Sequence, residues 1–185
     1  SAAAGRLDDE DVADVHLVES ILDVSRMEAG HLHLTFGPIS AEALVRRCMT
    51  SVFGSQGVAQ AIFRTVGTVP PAWGDEVYLE QVLRNVLTNA VRHSASGLPV
   101  VVEISANGGW IAIAISNRGQ AISQDDQRRL FDAFFRGENP GGHAPGYGLG
   151  LYFSRKLVEA QGGHLQVRSP AFPGEPSPGA TFTVT

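Results

Sequence analysis

Three polar side chains recur at a helical spacing near the middle of the sequence. Asn85, Asn89 and Arg92 stand at positions i, i+4 and i+7 of a predicted helix over residues 76–93, so they share one face of it. Asparagine carboxamide oxygens are hard ligands suited to Mg²⁺, and arginine donates hydrogen bonds to phosphate. An ordinary solvent-exposed face is the alternative, but two asparagines inside a helix are locally unfavourable and call for a further explanation.

Glycines form a second feature. Gly146, Gly148 and Gly150 begin a predicted helix over residues 147–161, directly after a loop at 136–146 that has no apolar period. Glycines in such a place allow backbone N–H groups to approach a phosphate at the positive end of the helix. The spacing differs from a P-loop, because no Lys-Ser or Lys-Thr follows, and from a dinucleotide fingerprint, because no strand precedes it. Taken alone, the glycines also fit a simple tight turn.

A third feature lies at the end of a predicted strand, where Asn117 is followed by Gly119. A polar side chain beside a glycine at a strand end can meet the edge of a base that stacks on apolar neighbours. A plain turn from strand to helix is the simpler interpretation of these two residues by themselves.

The spacing of apolar residues predicts the elements that position these side chains, with Ser40 and Asp75 as amino-terminal helix caps. The fold class is α+β: a two-layer α/β sandwich with a mixed, mainly antiparallel sheet, helices on one face, and a preceding amino-terminal helix. The predicted helices cover residues 7–29, 40–52, 76–93, 123–134 and 147–161, and the predicted strands cover residues 31–36, 60–66, 100–105, 110–116, 164–168 and 181–185.

Composition sets the class of protein. The 185 residues include 43% apolar and 18% charged residues, which is typical of a globular domain and argues against disorder. A formal net charge of −5 predicts no binding to nucleic acid and no attraction to anionic lipid. One cysteine, Cys48, excludes an internal disulfide and fits a cytosolic setting, and its apolar surroundings predict a buried side chain. No apolar run is long enough to predict a membrane span, and no signal peptide is visible.

The order of these features resembles the ATP-binding domain of sensor histidine kinases. The helix at 81–94 looks like the N box of that family, and residues 117–119 fall at its G1 box. Residues 130–136, 146–151 and 179–182 are similar to its F box, its G2 box and its closing strand. The segment at 17–30 is similar to the end of the second dimerisation helix. The resemblance therefore implies two parts, a dimerisation-helix remnant at 1–30 and a catalytic ATP-binding domain at 31–185.

The resemblance implies a Bergerat ATP-binding fold, in which Mg-ATP lies between the N-box helix and a lid at residues 136–146. Asn89 would be the main Mg²⁺ ligand with Asn85 in support, and Arg92 would reach phosphate. His93 would lie against the adenine, Asn117 would accept a hydrogen bond from its amino group, and Thr181 would act nearby through water. The complete implied ATP-binding set is Asn85, Asn89, Arg92, His93, Asn117, Gly119, Ile122, Arg136, Gly146, Tyr147, Gly148, Leu149, Gly150, Leu151 and Thr181.

The sequence departs from the family pattern at the G1 box and at the phosphoacceptor. Aspartate is usual where Asn117 stands, and Ala121 replaces a glycine. The uncharged carboxamide still accepts one hydrogen bond, weaker by about 1 kcal/mol, so Asn117→Asp is expected to bind ATP at least as tightly. None of the six histidines has the context of a phosphoacceptor, and His16 lies in the run similar to the second dimerisation helix.

The expected function is to present Mg-ATP for phosphoryl transfer to a histidine outside this sequence and then to an aspartate of a response regulator. The expected partners are the dimerisation and phosphoacceptor domain of a homodimer and the cognate regulator, in the cytoplasm or on the cytoplasmic part of a membrane-bound receptor. Two alternatives stay open. One is a serine kinase of the anti-sigma-factor type, disfavoured by the helix at 17–30, and the other is a degenerate domain that only docks partners.

Overall fold

The computed structural model describes residues 32–57, 61–137 and 147–185, and the helix predicted at 7–29 lies outside these ranges. Four helices and seven strands occur within them. The helices are α1 (Ala41–Gly57), α2 (Glu76–Arg92), α3 (Gln124–Arg129) and α4 (Gly150–Ala160), and the strands are β1 (Gly37–Ile39), β2 (Ala61–Val66), β3 (Ala72–Gly74), β4 (Val100–Asn107), β5 (Trp110–Asn117), β6 (Leu165–Arg168) and β7 (Ala180–Val184).

The main sheet has five strands in the order β2-β4-β5-β7-β6. Only β2 and β4 run parallel, and the other three pairs are antiparallel, so the predicted mixed and mainly antiparallel sheet is confirmed. In β4, Val100, Val102 and Ile104 are buried while the residues between them are less so. This alternation is typical of a sheet that packs its helices on one face.

The helix α2 joins the two layers. Its apolar side consists of fully buried residues, whereas Asn85 and Asn89 lie on its opposite, polar side and are half-buried. The buried residues of α2 are Val82, Leu83, Val86, Leu87 and Ala90. Burial of this many aliphatic side chains, at about 1.5–3 kcal/mol each, fixes the rotation of the helix about its axis. The polar face is therefore held in one direction by the core.

The strand predicted at 31–36 is wrong for the residues that the structure describes, since 32–36 are not in a strand. The strand of this region is β1, which pairs antiparallel with β3, an element that the sequence did not predict beside Pro70 and Pro71. Among the described residues, no strand lies beside the alternating residues 32–36. Instead, the Thr35 N–H donates to the Asp75 carboxylate at 2.7 Å, so a helix cap satisfies this backbone group.

Two helices are shorter than predicted. The element predicted at 123–134 is α3, which ends at Arg129, and the non-glycine residue Phe134 has a φ of 63° that no helix permits. The element predicted from residue 147 begins only at Gly150, because Gly148 has a φ of 71°. The predicted cap Ser40 accepts a hydrogen bond from the Ala43 N–H and is confirmed.

Candidate functional site

The amino-terminal end of α2 is fixed by Asp75. Its carboxylate accepts hydrogen bonds from the N–H groups of Val77 and Tyr78, both at 3.1 Å, as the predicted cap requires. Its own N–H donates to the Gln161 side chain at the end of α4, at 2.7 Å. These bonds hold the start of α2 against the end of α4. A second contact between the two helices involves Asn85, a residue of the candidate site.

Asn85 is directly bonded to α4. Its side-chain nitrogen donates to the Ser154 hydroxyl at 2.8 Å, and Ser154 is only 2% exposed. A Cβ atom placed on Gly150 would lie 2.6 Å from the Asn85 side-chain oxygen, so a larger residue there would displace the Asn85 carboxamide from its present position. The structure therefore places Asn85 against the first turn of α4, as the two motifs implied. Ser154 was missed, and its only signal was a serine on the apolar face of a helix.

Asn89 lies one turn further along α2. It is half-buried, and its carboxamide makes no hydrogen bond to any of the residues that the structure describes. Arg92 follows on the same face and is exposed. Asn89 thus keeps a partly desolvated oxygen available for a ligand, which suits a hard cation such as Mg²⁺.

The base-recognition residue predicted from the sequence, Asn117, is 3% exposed at the end of β5. Its side-chain nitrogen donates to the backbone carbonyl of His93 at 2.9 Å. Because the nitrogen must face that carbonyl, the carboxamide oxygen is the group left for another partner. Asn117 therefore ties the carboxyl-terminal end of α2 to the centre of the sheet while keeping an acceptor.

Gly119 is required by the same junction. A Cβ atom on this residue would lie 2.0 Å from the His93 carbonyl oxygen, and no L-residue with a side chain fits there without moving backbone. The Gly119 carbonyl also accepts from the Gly179 N–H at 2.9 Å, directly before β7. Gly119 is thus a structural contact point of α2, β5 and β7, and its predicted part in ATP binding stays a prediction.

Thr181 is on β7, one residue after Ala180, which pairs with Asn117. In the register of β5 and β7, Ser116 is opposite Thr181, and their hydroxyl oxygens are 2.8 Å apart. The Thr181 hydroxyl therefore has a protein partner that the sequence did not reveal, and whichever of the two hydroxyls accepts keeps its own O–H to donate elsewhere.

The lowered pKa of His93 suits a ring that would stack on a base. Desolvation of the imidazole, followed by the nearby charge of Arg92, lowers the pKa of His93 from its ordinary value. The ring is therefore neutral at pH 7, and a neutral ring stacks on a base without a charge to desolvate.

The two sides of the predicted lid meet at a backbone hydrogen bond, in which the Phe134 N–H donates to the Gly148 carbonyl at 3.1 Å. Arg136 and Tyr147 are exposed near these ends, Leu149 is buried and Leu151 is half-buried. Gly146 and the other residues of 138–146 lie outside the described residues. Of the F-box phenylalanines, Phe131 is buried, whereas Phe134 is exposed and contacts Gly148 through its backbone.

Ile122 lies at the edge of this region and is half-buried. Its N–H donates to the Ser169 hydroxyl at 2.8 Å, on the segment between β6 and β7. The Gln127 side chain binds the backbone of the same serine from α3. These bonds fix the position of Ile122. Its backbone N–H is already used by Ser169 and is not available to a ligand.

A groove of about 470 Å³ lies elsewhere, between β1 and the amino-terminal end of α2. None of the site residues predicted from the sequence lines it. Within the described part of the chain no three His, Cys, Asp or Glu side chains gather to hold a metal ion.

Comparison with known proteins identifies the family of the chain. The profile of the family described as histidine kinase-, DNA gyrase B- and HSP90-like ATPase matches residues 74–185, more than half of the chain. The chain belongs to this ATPase family. Among solved structures, the mycobacterial sensor histidine kinase MprB shares 27% identity with this ATPase domain at a TM-score of 0.68, over 81% of this chain and 95% of the other.

A second solved structure, full-length ShkA in complex with AMPPNP, is 26% identical with a TM-score of 0.72 and covers 94% of this chain and 36% of that one. Among curated relatives, the virulence sensor protein BvgS of Bordetella bronchiseptica is 32% identical over 179 residues, and the sensor histidine kinase YcbM of Bacillus subtilis 27% over 175 residues. Each alignment covers 92% of this chain but only 14% of BvgS and 54% of YcbM. The ATPase domain is thus the catalytic, ATP-binding kind found in sensor histidine kinases.

No helix in the described part of the chain has both the length and the apolar character to cross a membrane.

Proposed function

We propose that this domain binds Mg-ATP between the polar face of α2 and the amino-terminal end of α4, and presents the γ-phosphate to a histidine of a dimerisation domain. The phosphoryl group would pass from that histidine to an aspartate of a response regulator. The observation that carries the proposal is the contact of Asn85 with Ser154 and Gly150, which brings the two candidate motifs together in space. The ShkA structure was solved with an ATP analogue bound, and its fold is shared with this chain.

The proposed roles follow from the contacts. Asn89, with its carboxamide free of described partners, would be the main Mg²⁺ ligand, and Asn85 would support it. When bound, Mg²⁺ neutralises phosphate charge and orients the reacting group. Arg92 would donate to a phosphate, and the first turn of α4 adds backbone N–H donors and a partial positive charge.

At the carboxyl-terminal end of α2, the Asn117 oxygen would accept from the adenine amino group. The donor bond of Asn117 to His93 supports this assignment, because it leaves the oxygen rather than the nitrogen facing away from the helix end. The neutral His93 ring would lie against the base. These contacts favour a purine with an exocyclic amino group over one with a carbonyl at the same position.

Transfer by such a domain depends on positioning rather than on a covalent step with its own residues, so a partner must provide the nucleophile. We propose that a second copy of the parent protein supplies a homodimeric helical bundle with the phosphoacceptor histidine. We also propose that the parent protein acts in the cytoplasm, where ATP and the response regulator are available.

The proposal is tested by calorimetric titration of the whole chain with a non-hydrolysable ATP analogue, with and without Mg²⁺. Saturable binding that Mg²⁺ strengthens is expected for the native chain. In Asn89→Ala the strengthening by Mg²⁺ is expected to disappear, because the main protein ligand is gone.

The matched control is Asn107→Ala, which makes the same substitution at an exposed position of the β4–β5 hairpin and should bind as the native chain does. Unchanged Mg²⁺ dependence in Asn89→Ala would contradict the metal assignment. No binding by the folded native chain at millimolar nucleotide would overturn the proposed function in favour of a docking domain.

A further inference from the structure

Ser154 is a polar residue on the buried face of α4. It is 2% exposed and its neighbours on that face, Phe153, Leu157 and Val158, belong to the hydrophobic core. A hydroxyl at a buried position lowers stability unless it has a hydrogen-bond partner, and packing alone would favour an apolar residue there. The partner of the hydroxyl is the Asn85 side-chain nitrogen at 2.8 Å.

The bond from Asn85 to Ser154 determines which end of the carboxamide is free. A side-chain amide has a nitrogen that only donates and an oxygen that only accepts. Since the nitrogen is bound to Ser154, the oxygen is turned towards Gly150, where an added Cβ atom would lie 2.6 Å away. The Asn85 oxygen is therefore held against the first residue of α4.

The amino-terminal turn of a helix carries unpaired N–H groups and a partial positive charge, which favour phosphate. An acceptor oxygen held beside such a turn is placed for a cation that also binds the phosphate. Asn89, in contrast, has no described side-chain partner and is free to adjust to the ion. The site thus combines one fixed and one adaptable carboxamide.

We infer that Ser154 is a positioning residue, which holds the Asn85 carboxamide with its oxygen towards the metal–phosphate end of the nucleotide. The inference rests on the proposed function. Without the hydroxyl, the amide of Asn85 is free to rotate and to present its nitrogen, which repels a cation. Removal of the Ser154 hydroxyl should therefore weaken the Mg²⁺-dependent part of nucleotide binding and leave the contacts to the base unchanged.

The first experiment compares native chain and Ser154→Ala by titration with the ATP analogue, with and without Mg²⁺. Affinity in Mg²⁺ is expected to fall about 3- to 10-fold, the usual effect of one hydrogen bond, while affinity without Mg²⁺ changes less than about 2-fold. A purely structural role of Ser154 would lower both affinities together, and equal losses would overturn the inference.

A double-mutant cycle shows whether Ser154 acts through Asn85. Adding Ser154→Ala to Asn85→Ala is expected to have no further effect on binding in Mg²⁺, because the group that Ser154 positions is already gone. Additive losses would contradict the inference. Ser154→Thr retains the hydroxyl and should keep the Mg²⁺ dependence of the native chain to a greater extent than Ser154→Ala.

A nucleotide-free measurement separates this inference from the proposed function. The side-chain NH₂ group of Asn85 should show slowed hydrogen exchange in the native chain by NMR and fast exchange in Ser154→Ala. Fast exchange already in the native chain would overturn the inference whatever the nucleotide result. If the native chain shows no Mg²⁺-dependent binding at all, the proposed function fails, whereas Mg²⁺ dependence unchanged by Ser154→Ala defeats only the positioning role.

Discussion

At the scale of single residues, the site depends on which atom of each side chain is already used. Asn85 and Asn117 both donate from nitrogen to a protein acceptor, Ser154 in one case and the His93 carbonyl in the other. Both therefore leave the carboxamide oxygen as the atom available to the proposed ligand. The fold thus gives these two residues an orientation that fits the proposal of a cation near the middle of α2 and an amino group at its carboxyl-terminal end.

The bond from the Asn117 nitrogen to the His93 carbonyl adds a stability effect to the expectation for Asn117→Asp. A carboxylate has no donor for the His93 carbonyl and would be buried at a position that is 3% exposed. We expect the free energy of unfolding without nucleotide to fall by about 1–3 kcal/mol, measured by urea denaturation. The loss should shrink at low pH, because a protonated carboxyl donates again.

Asn107→Asp at the exposed hairpin is the control for added charge and should change stability little. A stability of Asn117→Asp equal to that of the native chain would show that the bond to His93 contributes nothing. The expectation that this variant binds ATP at least as tightly stays open, since adenine offers the carboxylate a donor once it is bound.

At the scale of elements, one junction holds the site together. The carboxyl-terminal end of α2, the end of β5 and the start of β7 meet around Gly119, whose absent side chain leaves room for the His93 carbonyl. The sheet register then pairs Asn117 with Ala180, the residue before Thr181. The base end of the site is thus built from three elements that are far apart in sequence.

Gly119→Ala is the prediction at this scale. The added methyl group would overlap a backbone carbonyl that cannot rotate away, so α2 and β5 must separate. We expect a loss of roughly 2–4 kcal/mol in unfolding free energy, measured by denaturation, together with weaker nucleotide binding. Gly37→Ala is the matched control, because its Cβ would meet no atom within 4 Å, and a similar loss in both variants would refute the packing argument.

At the scale of the whole molecule, a single core connects both layers. Cys48 on α1 is fully buried within it, and desolvation raises the pKa of its thiol to about 11. The fold therefore keeps its only cysteine both inaccessible and protonated at neutral pH. The buried position predicted from the sequence is confirmed.

Cys48 should consequently report global opening. The thiol is expected to react with a maleimide or an aromatic disulfide only as fast as the protein unfolds, and its rate should rise in step with urea-induced unfolding followed by circular dichroism. Saturating nucleotide should slow the reaction further by stabilising the folded state. Rapid labelling in the absence of urea would show that α1 opens independently of the sheet.

The sequence by itself determined the features that depend on neighbours along the chain. Helix α2 with its cap at Asp75, the hairpin of β4 and β5, and the shared face of Asn85, Asn89 and Arg92 follow from periodicity, caps and turns. The family assignment could also be predicted, because the order of the motifs is a property of the chain.

Only the tertiary structure decided the features that depend on partners far away in sequence. The strand expected at 31–36 is wrong for residues 32–36 because no strand among the described residues lies beside them, and β3 forms because β1 supplies a partner. The bonds of Asn85 to Ser154, 69 residues later, and of Asn117 to His93, 24 residues earlier, have no local signature. The reason is physical: an amide or hydroxyl group takes its role from the group that packing places within about 3 Å, and that choice belongs to the fold.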